Sequence, residues 1–206
     1  NVVRAAGWLS TAPYVEGFRI YKGRRIEAGK AFDLAFRIRD EPFIQYEILP
    51  FFEGYHNYAP GFRIHKIEEF HGRKLRGYTV KIAPRSIISF YLNIGISPNI
   101  KDRTVLSDNM RNVFIGGLID RWGRVNNYQE RPELKINVRS EFSNLLKELQ
   151  EEFNRGTEIT KGQVHPTQEI YLAGGDSLLD FVKQYPISNP RLLYPIEYYR
   201  YYGNIT

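Results

Sequence analysis

Cysteine is absent from this 206-residue chain, and that absence removes disulfides, thiolate metal centres and cysteine nucleophiles. A reducing interior fits it, as does a thermophile that avoids labile residues. No apolar run approaches the ~18 residues that a membrane helix needs. The N-terminus lacks the charged-then-apolar layout of a signal peptide, so a cytoplasmic or nucleoid-associated protein is expected. There is no phosphate-binding GxxxxGK[ST] loop and no GxSxG elbow. The four histidines, His56, His65, His71 and His165, are scattered and suggest no ligand set. No metal and no cofactor is therefore expected. The Gly174-Gly175 pair is explained by a turn, and Glu151-Glu152 by a solvated helix face.

What is present describes a folded protein. Hydrophobic residues make up 42% and aromatics 15%, enough for one large domain or two small ones. The net charge of +6 and pI near 9.4 suit a polyanionic partner.

Hydrophobic periodicity switches repeatedly between two and 3.6. Asn1 to Leu9 reads as a short apolar helix stopped by Pro13. Gly17 to Tyr21 and Ala31 to Arg39 alternate; in the latter, Phe32, Leu34, Phe36 and Ile38 form the apolar side. Glu41 to Phe52 reads as a helix, Phe62 to Phe70 and Leu75 to Ile82 as a hairpin, and Ser86 to Ile94 as a helix. Ser97 to Arg103 is polar, with Pro98 and Asn99, and reads as a linker.

The same order then recurs. Ser107 to Ile119 is a predicted helix, followed by strands at Arg124 to Tyr128 and Leu134 to Arg139. Ser140 to Phe153 is a helix with an apolar stripe and Gly156 beyond its end. Thr157 to Gln163 and Gln168 to Leu172 form a second hairpin, and Ser177 to Gln184 the closing helix. A Pro- and Tyr-rich tail follows, read as a segment that wraps the core and buries its rings. The duplication divides the chain into a first repeat over 1–96, a linker over 97–106 and a second repeat over 107–206.

The second repeat opens with Ile115-Gly116-Gly117-Leu118-Ile119-Asp120-Arg121-Trp122-Gly123, and the first with Ala5-Ala6-Gly7-Trp8-Leu9-Ser10-Thr11-Ala12-Pro13. The former resembles the LAGLIDADG motif of homing endonucleases; the latter is a weaker match, 110 residues earlier. The resemblance covers nearly the whole chain. It implies an α+β fold of two pseudo-symmetric αββαββα repeats whose antiparallel sheets form a nucleic-acid-binding saddle. Gly7, Gly116 and Gly117 would let two motif helices meet backbone to backbone. In active relatives the last acid of each motif binds divalent metal; here those positions hold Ala12 and Trp122, which cannot. The resemblance therefore implies a binder and not an enzyme. Asp120 falls at the earlier motif position, where a local cap is expected.

Helices on one side of each sheet leave the other side for contact. The alternation nominates Arg19, Tyr21, Arg37, Arg39, Arg63, His65 and Lys81 in the first repeat, with Lys22, Arg24 and Arg25 in a basic turn. In the second it nominates Arg124, Lys135, Asn137 and Arg139. Arg and Lys neutralise phosphates, and Arg and Asn read base edges. Glu68, Glu69, Glu158 and Glu169 interrupt this basic surface. Double-stranded DNA is the expected partner of a monomer with internal pseudo-dimer symmetry, with a regulatory role as in transcription regulators of this fold. Three alternatives stay open: a maturase-like RNA binder, a nuclease using displaced acids such as Asp120 and Glu16, and a subunit of a larger nucleoprotein.

Overall fold

Alternating apolar residues become the inner rows of two antiparallel sheets. The computed structural model describes residues 2–9, 14–21, 24–70, 73–93, 108–128, 131–139, 150–151, 157–160 and 167–202. Helix α1 (Val2–Leu9) leads to β1 (Tyr14–Tyr21) and β2 (Arg24–Arg37), a 3-10 turn (Ile38–Asp40) and a helical stretch. That stretch comprises α2 (Glu41–Phe43), a π-helical turn (Ile44–Ile48) and α3 (Leu49–His56). Then come β3 (Gly61–Phe70), β4 (Arg73–Ile82) and α4 (Arg85–Asn93). The second half runs α5 (Asp108–Trp122), β5 (Gly123–Tyr128), β6 (Arg131–Arg139), β7 (Thr157–Thr160), β8 (Thr167–Gly174), α6 (Asp176–Gln184) and α7 (Pro190–Tyr202). Each sheet has four strands in the same order, β1-β2-β4-β3 and β5-β6-β8-β7. This is the α+β architecture expected from the pattern.

Each sheet has one covered row. Phe32, Leu34, Phe36, Val80 and Ile82 are buried with Trp8, Phe43, Ile48, Phe52 and Tyr91 from the helices. Leu134, Ile136, Ile170 and Leu172 are buried with Leu118, Leu178, Leu192 and Ile196. Each such side chain contributes about 1.5–3 kcal/mol by leaving water. Between the two cores, α1 packs along α5. A Cβ on Gly7 would stand 2.8 Å from the Leu118 backbone nitrogen, and one on Gly117 would stand 3.0 Å from the Arg4 carbonyl carbon. Only glycine permits that approach.

Several expectations change. Strand β2 begins at Arg24 rather than Ala31 and stops at Arg37, so Arg39 lies in the 3-10 turn and Ile38 is 48% exposed. The reason is Asp40, whose Oδ2 accepts the Arg37 N–H at 3.0 Å and turns the chain out of the ladder. The helix predicted over Glu41 to Phe52 runs to His56, and it widens into a π-turn before Pro50, which has no N–H for the Tyr46 carbonyl. Asn57 ends it in the left-handed region at φ 48°. The tail is a helix. Asn189 caps it by accepting the Arg191 N–H at 3.0 Å, and Pro190 takes the first position. Leu192 and Ile196 pack inward, but Tyr194, Tyr198 and Tyr201 are exposed, so the expected burial of the tail's rings is corrected. The helix expected over Ser140 to Phe153 lies outside the described residues except at 150–151, which are helical. The linker at Ser97 to Arg103 lies outside them too.

Candidate nucleic-acid interface

The uncovered rows carry the polar residues. In β2 and β4, exposed Ala35, Arg37 and Lys81 and half-buried Thr79 alternate with the buried row. Ala35 pairs with Thr79, and Arg37 with Gly77. In the second sheet, Glu133, Lys135 and Asn137 of β6 alternate with buried Leu134 and Ile136. Exposed Arg124 of β5 pairs with Lys135, which pairs in turn with Tyr171 of β8. Period-two patterning thus delivers two open faces, as the sequence implied.

The nominated residues differ in where the fold places them. Arg37, Lys81 and Arg124 stand exposed on open rows. Arg63 and His65 are placed by register opposite Thr79 and Gly77, and Arg139 opposite Thr167. A bulge between Gly17 and Phe18 keeps Arg19 and Tyr21 of β1 in register with Ile26 and Arg24, while Arg25 pairs with Ile20 on the alternate row. The side chains of these strand residues lie outside the described set, as does Lys22 entirely. Arg39 is exposed but off the sheet.

Lys135 is not a free cation. Its Nζ lies 3.2 Å from Glu169 and 3.6 Å from Glu133. Desolvation acts to lower its pKa, but the pairing with Glu169 and then Glu133 raises it on balance. Asn137 is half-buried, and its amide oxygen has no hydrogen-bond partner among the described residues.

Sequence reasoning missed the seam between the halves. Asp40 is 1% exposed; its Oδ1 accepts from Arg191 Nε at 2.5 Å and Asn189 Nδ2 at 3.0 Å. Arg191 Nη2 donates to the Gly123 carbonyl at 3.0 Å, and Asn189 Nδ2 also donates to the Asp120 carbonyl at 2.7 Å. One buried network thereby joins the end of β2, the end of α5 and the start of α7. Arg37 and Arg124 flank it. Desolvation holds the Arg37 pKa below its ordinary value, as do the charges of Arg191 and Arg124, against the pull of Asp40. The Asn-Pro pair at Asn189 and Pro190 was the available signal, since it marks a helix start.

Among the described residues, the end of the second motif helix, α5, supplies no ligand for a divalent metal. Ala12 lies outside the described residues. The Trp122 side chain offers no oxygen, and Arg121 stacks on its ring at 4.8 Å. Asp120 is fully buried. Its Oδ1 accepts the N–H groups of Ser188 at 2.6 Å and Asn189 at 2.8 Å; its Oδ2 accepts Ser188 Oγ at 2.9 Å and Trp8 Nε1 at 3.5 Å. Burial pushes its carboxyl up to about 6, opposed by the bonds from Ser188 and Asn189 and by Arg4. Asp120 is a structural clasp, occupied on every side. Among the described residues no three His, Asp or Glu side chains converge as a metal site requires. No described helix is long and apolar enough to cross a membrane.

No family model and no curated protein sequence matches the chain. Solved structures do. The LAGLIDADG homing endonuclease I-GzeII in complex with its DNA target matches with a TM-score of 0.63 at 11% identity, over 100% of this chain and 90% of that one. The I-SmaMI LAGLIDADG homing endonuclease bound to cleaved DNA matches with 0.59 at 11%, over 97% and 88%. I-DmoI in complex with DNA and Mn matches with 0.52 at 16%, over 91% and 99%. These matches correct one expectation from the sequence, that the chain is not an enzyme. Its fold is that of DNA-cleaving enzymes, and two motif positions do not exclude cleavage. Metal ligation depends on where carboxylates converge in space, not on which motif position bears them.

Proposed function

We propose that this chain, which has the LAGLIDADG homing-endonuclease fold, binds double-stranded DNA by laying the open faces of both sheets along the duplex. One observation carries the reading: two sheets of identical strand order each keep an apolar row under helices and an uncovered polar row, with exposed cations at Arg37, Lys81 and Arg124. The repeats at 1–96 and 107–206 each supply half of the surface, so a monomer stands in for a symmetric dimer and reads two half-sites. A two-stranded ribbon fits a major groove, and β2, with 14 residues at ~3.4 Å each, is about 48 Å long, nearly one and a half turns of duplex at ~34 Å per turn. Structural neighbours solved in complex with DNA support the same partner. Such binding puts the protein with the nucleoid, where occupancy of a promoter would make it a regulator.

The test is a titration of labelled duplex DNA, structured RNA and single strands across a salt series. Duplex preference with affinity falling steeply in salt supports the proposal. Preference for structured RNA would replace it with the maturase-like reading. The same complexes, incubated with magnesium or manganese, report cleavage directly.

A further inference from the structure

Two exposed arginines, one from each half, flank a seam network built on a third. Arg37 is the last residue of β2, and its N–H is fixed to Asp40 Oδ2 at 3.0 Å. Asp40 Oδ1 takes Arg191 Nε at 2.5 Å, and Arg191 Nη2 takes the Gly123 carbonyl at 3.0 Å. Arg124 is the next residue. Three hydrogen bonds thus run from the backbone of Arg37 to the residue beside Arg124. Both arginines lie on open rows, since Phe36 and Gly123 beside them are buried.

The charges at this point do not balance. Three guanidiniums face one carboxylate, and Asp40 is already engaged by Arg191. Among the described residues no acid forms an ion pair with the Arg37 or Arg124 side chain. Arginine does not shed its proton, so the repulsion that sets Arg37 against Arg191 and Arg124 persists at every pH, and an anion placed between them would relieve it. Among the described residues the seam also offers no open carboxylate through which a divalent cation could bridge to that anion. Asp40 and Asp120 are buried with their oxygens occupied, and Trp122 ends α5. A guanidinium fork matches phosphate geometry without help from a metal.

We propose that Arg37 and Arg124 together clamp one phosphodiester of the bound duplex at the seam, without a divalent cation, and that Arg191 is the positioning residue that holds them in register. The inference rests on the DNA-binding reading above and adds where the two halves grip the backbone and by what chemistry.

The test is fluorescence anisotropy of a labelled duplex with the full chain, across a salt series, in EDTA and in magnesium. Wild-type affinity should agree within about two-fold between the two buffers. Arg37→Gln and Arg124→Gln should each weaken binding about tenfold or more, because either loss opens the clamp. The double variant should add no more than about two-fold, and the salt slope should fall by about 0.9 in singles and double alike, the signature of one shared phosphate. Arg37→Lys and Arg124→Lys keep charge but lose the fork, so they should preserve the slope and lose part of the affinity. Lys81→Gln, remote from the seam network, should weaken binding additively with either. Binding that requires magnesium, or additive single losses with a slope change of about 1.8 in the double variant, would overturn the clamp and leave DNA binding standing. Absence of duplex binding by the wild type would overturn both readings.

Discussion

Gly117→Ala and Gly54→Ala are the same chemical change in two helices, and the structure predicts opposite outcomes. Gly117 faces the backbone of α1. A Cβ there would stand 3.0 Å from the Arg4 carbonyl carbon and closer still to its oxygen. Carbon contacts are favourable from about 3.5 Å outward, so α1 and α5 must separate by roughly 0.5–1 Å. Neither neighbour can yield by changing rotamer, because both are main chain. A gap of that size forfeits about a quarter to a half of the dispersion between facing atoms. Those atoms belong to Ala5, Ala6, Trp8 and Leu9 on one side and Ile115, Leu118 and Ile119 on the other, all buried. Overpacking of this kind costs about 3 kcal/mol, and the helix propensity of alanine over glycine offsets about 1 kcal/mol of it. The net expectation is a loss of about 2 kcal/mol. Gly54 in α3 is exposed, and its Cβ would meet nothing within 4 Å. Only the propensity change remains there, a gain of about 0.5–1 kcal/mol. Urea unfolding followed by far-ultraviolet circular dichroism measures both, provided the m-value is unchanged. If both variants shift the midpoint in the same direction, the close backbone approach is not what Gly117 provides.

Two further perturbations probe the buried network. The Asp120 carboxyl is raised by burial from 3.8 to about 6, so its favourable contribution is complete below the unfolded pKa and is lost as pH rises through 6. Between pH 7 and 5 the wild type should gain about 1.3 kcal/mol relative to Asp120→Asn, and parallel pH profiles of unfolding for the two proteins would reject the assignment. Asn189→Ala removes donors to Asp40 and to the Asp120 carbonyl together with the cap on α7, and should cost about 3 kcal/mol. Asn189→Asp restores the cap acceptor but faces a carboxylate toward Asp40; a denaturation midpoint equal to wild type would show that the network carries no weight.

Local chemistry made most of the fold legible. Alternation at Phe32, Leu34 and Phe36 and at Leu134 and Ile136 marked the covered rows because side chains in a strand repeat every second residue. The small residues at Gly7 and Gly117 marked the paired helices because nothing larger fits there, whereas Gly116, expected at the same contact, faces the Pro186 backbone instead. Where the reading went astray, a contact distant in sequence decided the local conformation. The alternation through Ile38 and Arg39 looked like strand, yet Asp40 ends β2 at Arg37, and Asp40 is held by a partner 151 residues away. The tail looked irregular because of its prolines, although Asn189 and Pro190 are a helix start and α7 tolerates Pro195 in its interior.

The candidate surface shows the same division more sharply. Composition counts Lys135, Arg37 and Arg124 alike, and strand parity sets all three on open rows. Their neighbours separate them. Lys135 lies between Glu133 and Glu169, one on its own strand and one across the ladder, and is neutralised where it stands. Among the described residues no acid pairs with Arg37 or Arg124 in this way, and the Asp40 carboxylate is spent on Arg191. A phosphate approaching the second sheet over Lys135 must compete with two glutamates, whereas one approaching the seam meets positive charge already crowded past what its own acid can balance. Affinity on this surface should therefore concentrate at the centre, where the halves meet, rather than spread evenly along the strands. The net charge of +6 could not have revealed that, because it fixes how much positive charge the chain carries and not which of it is left unpaired.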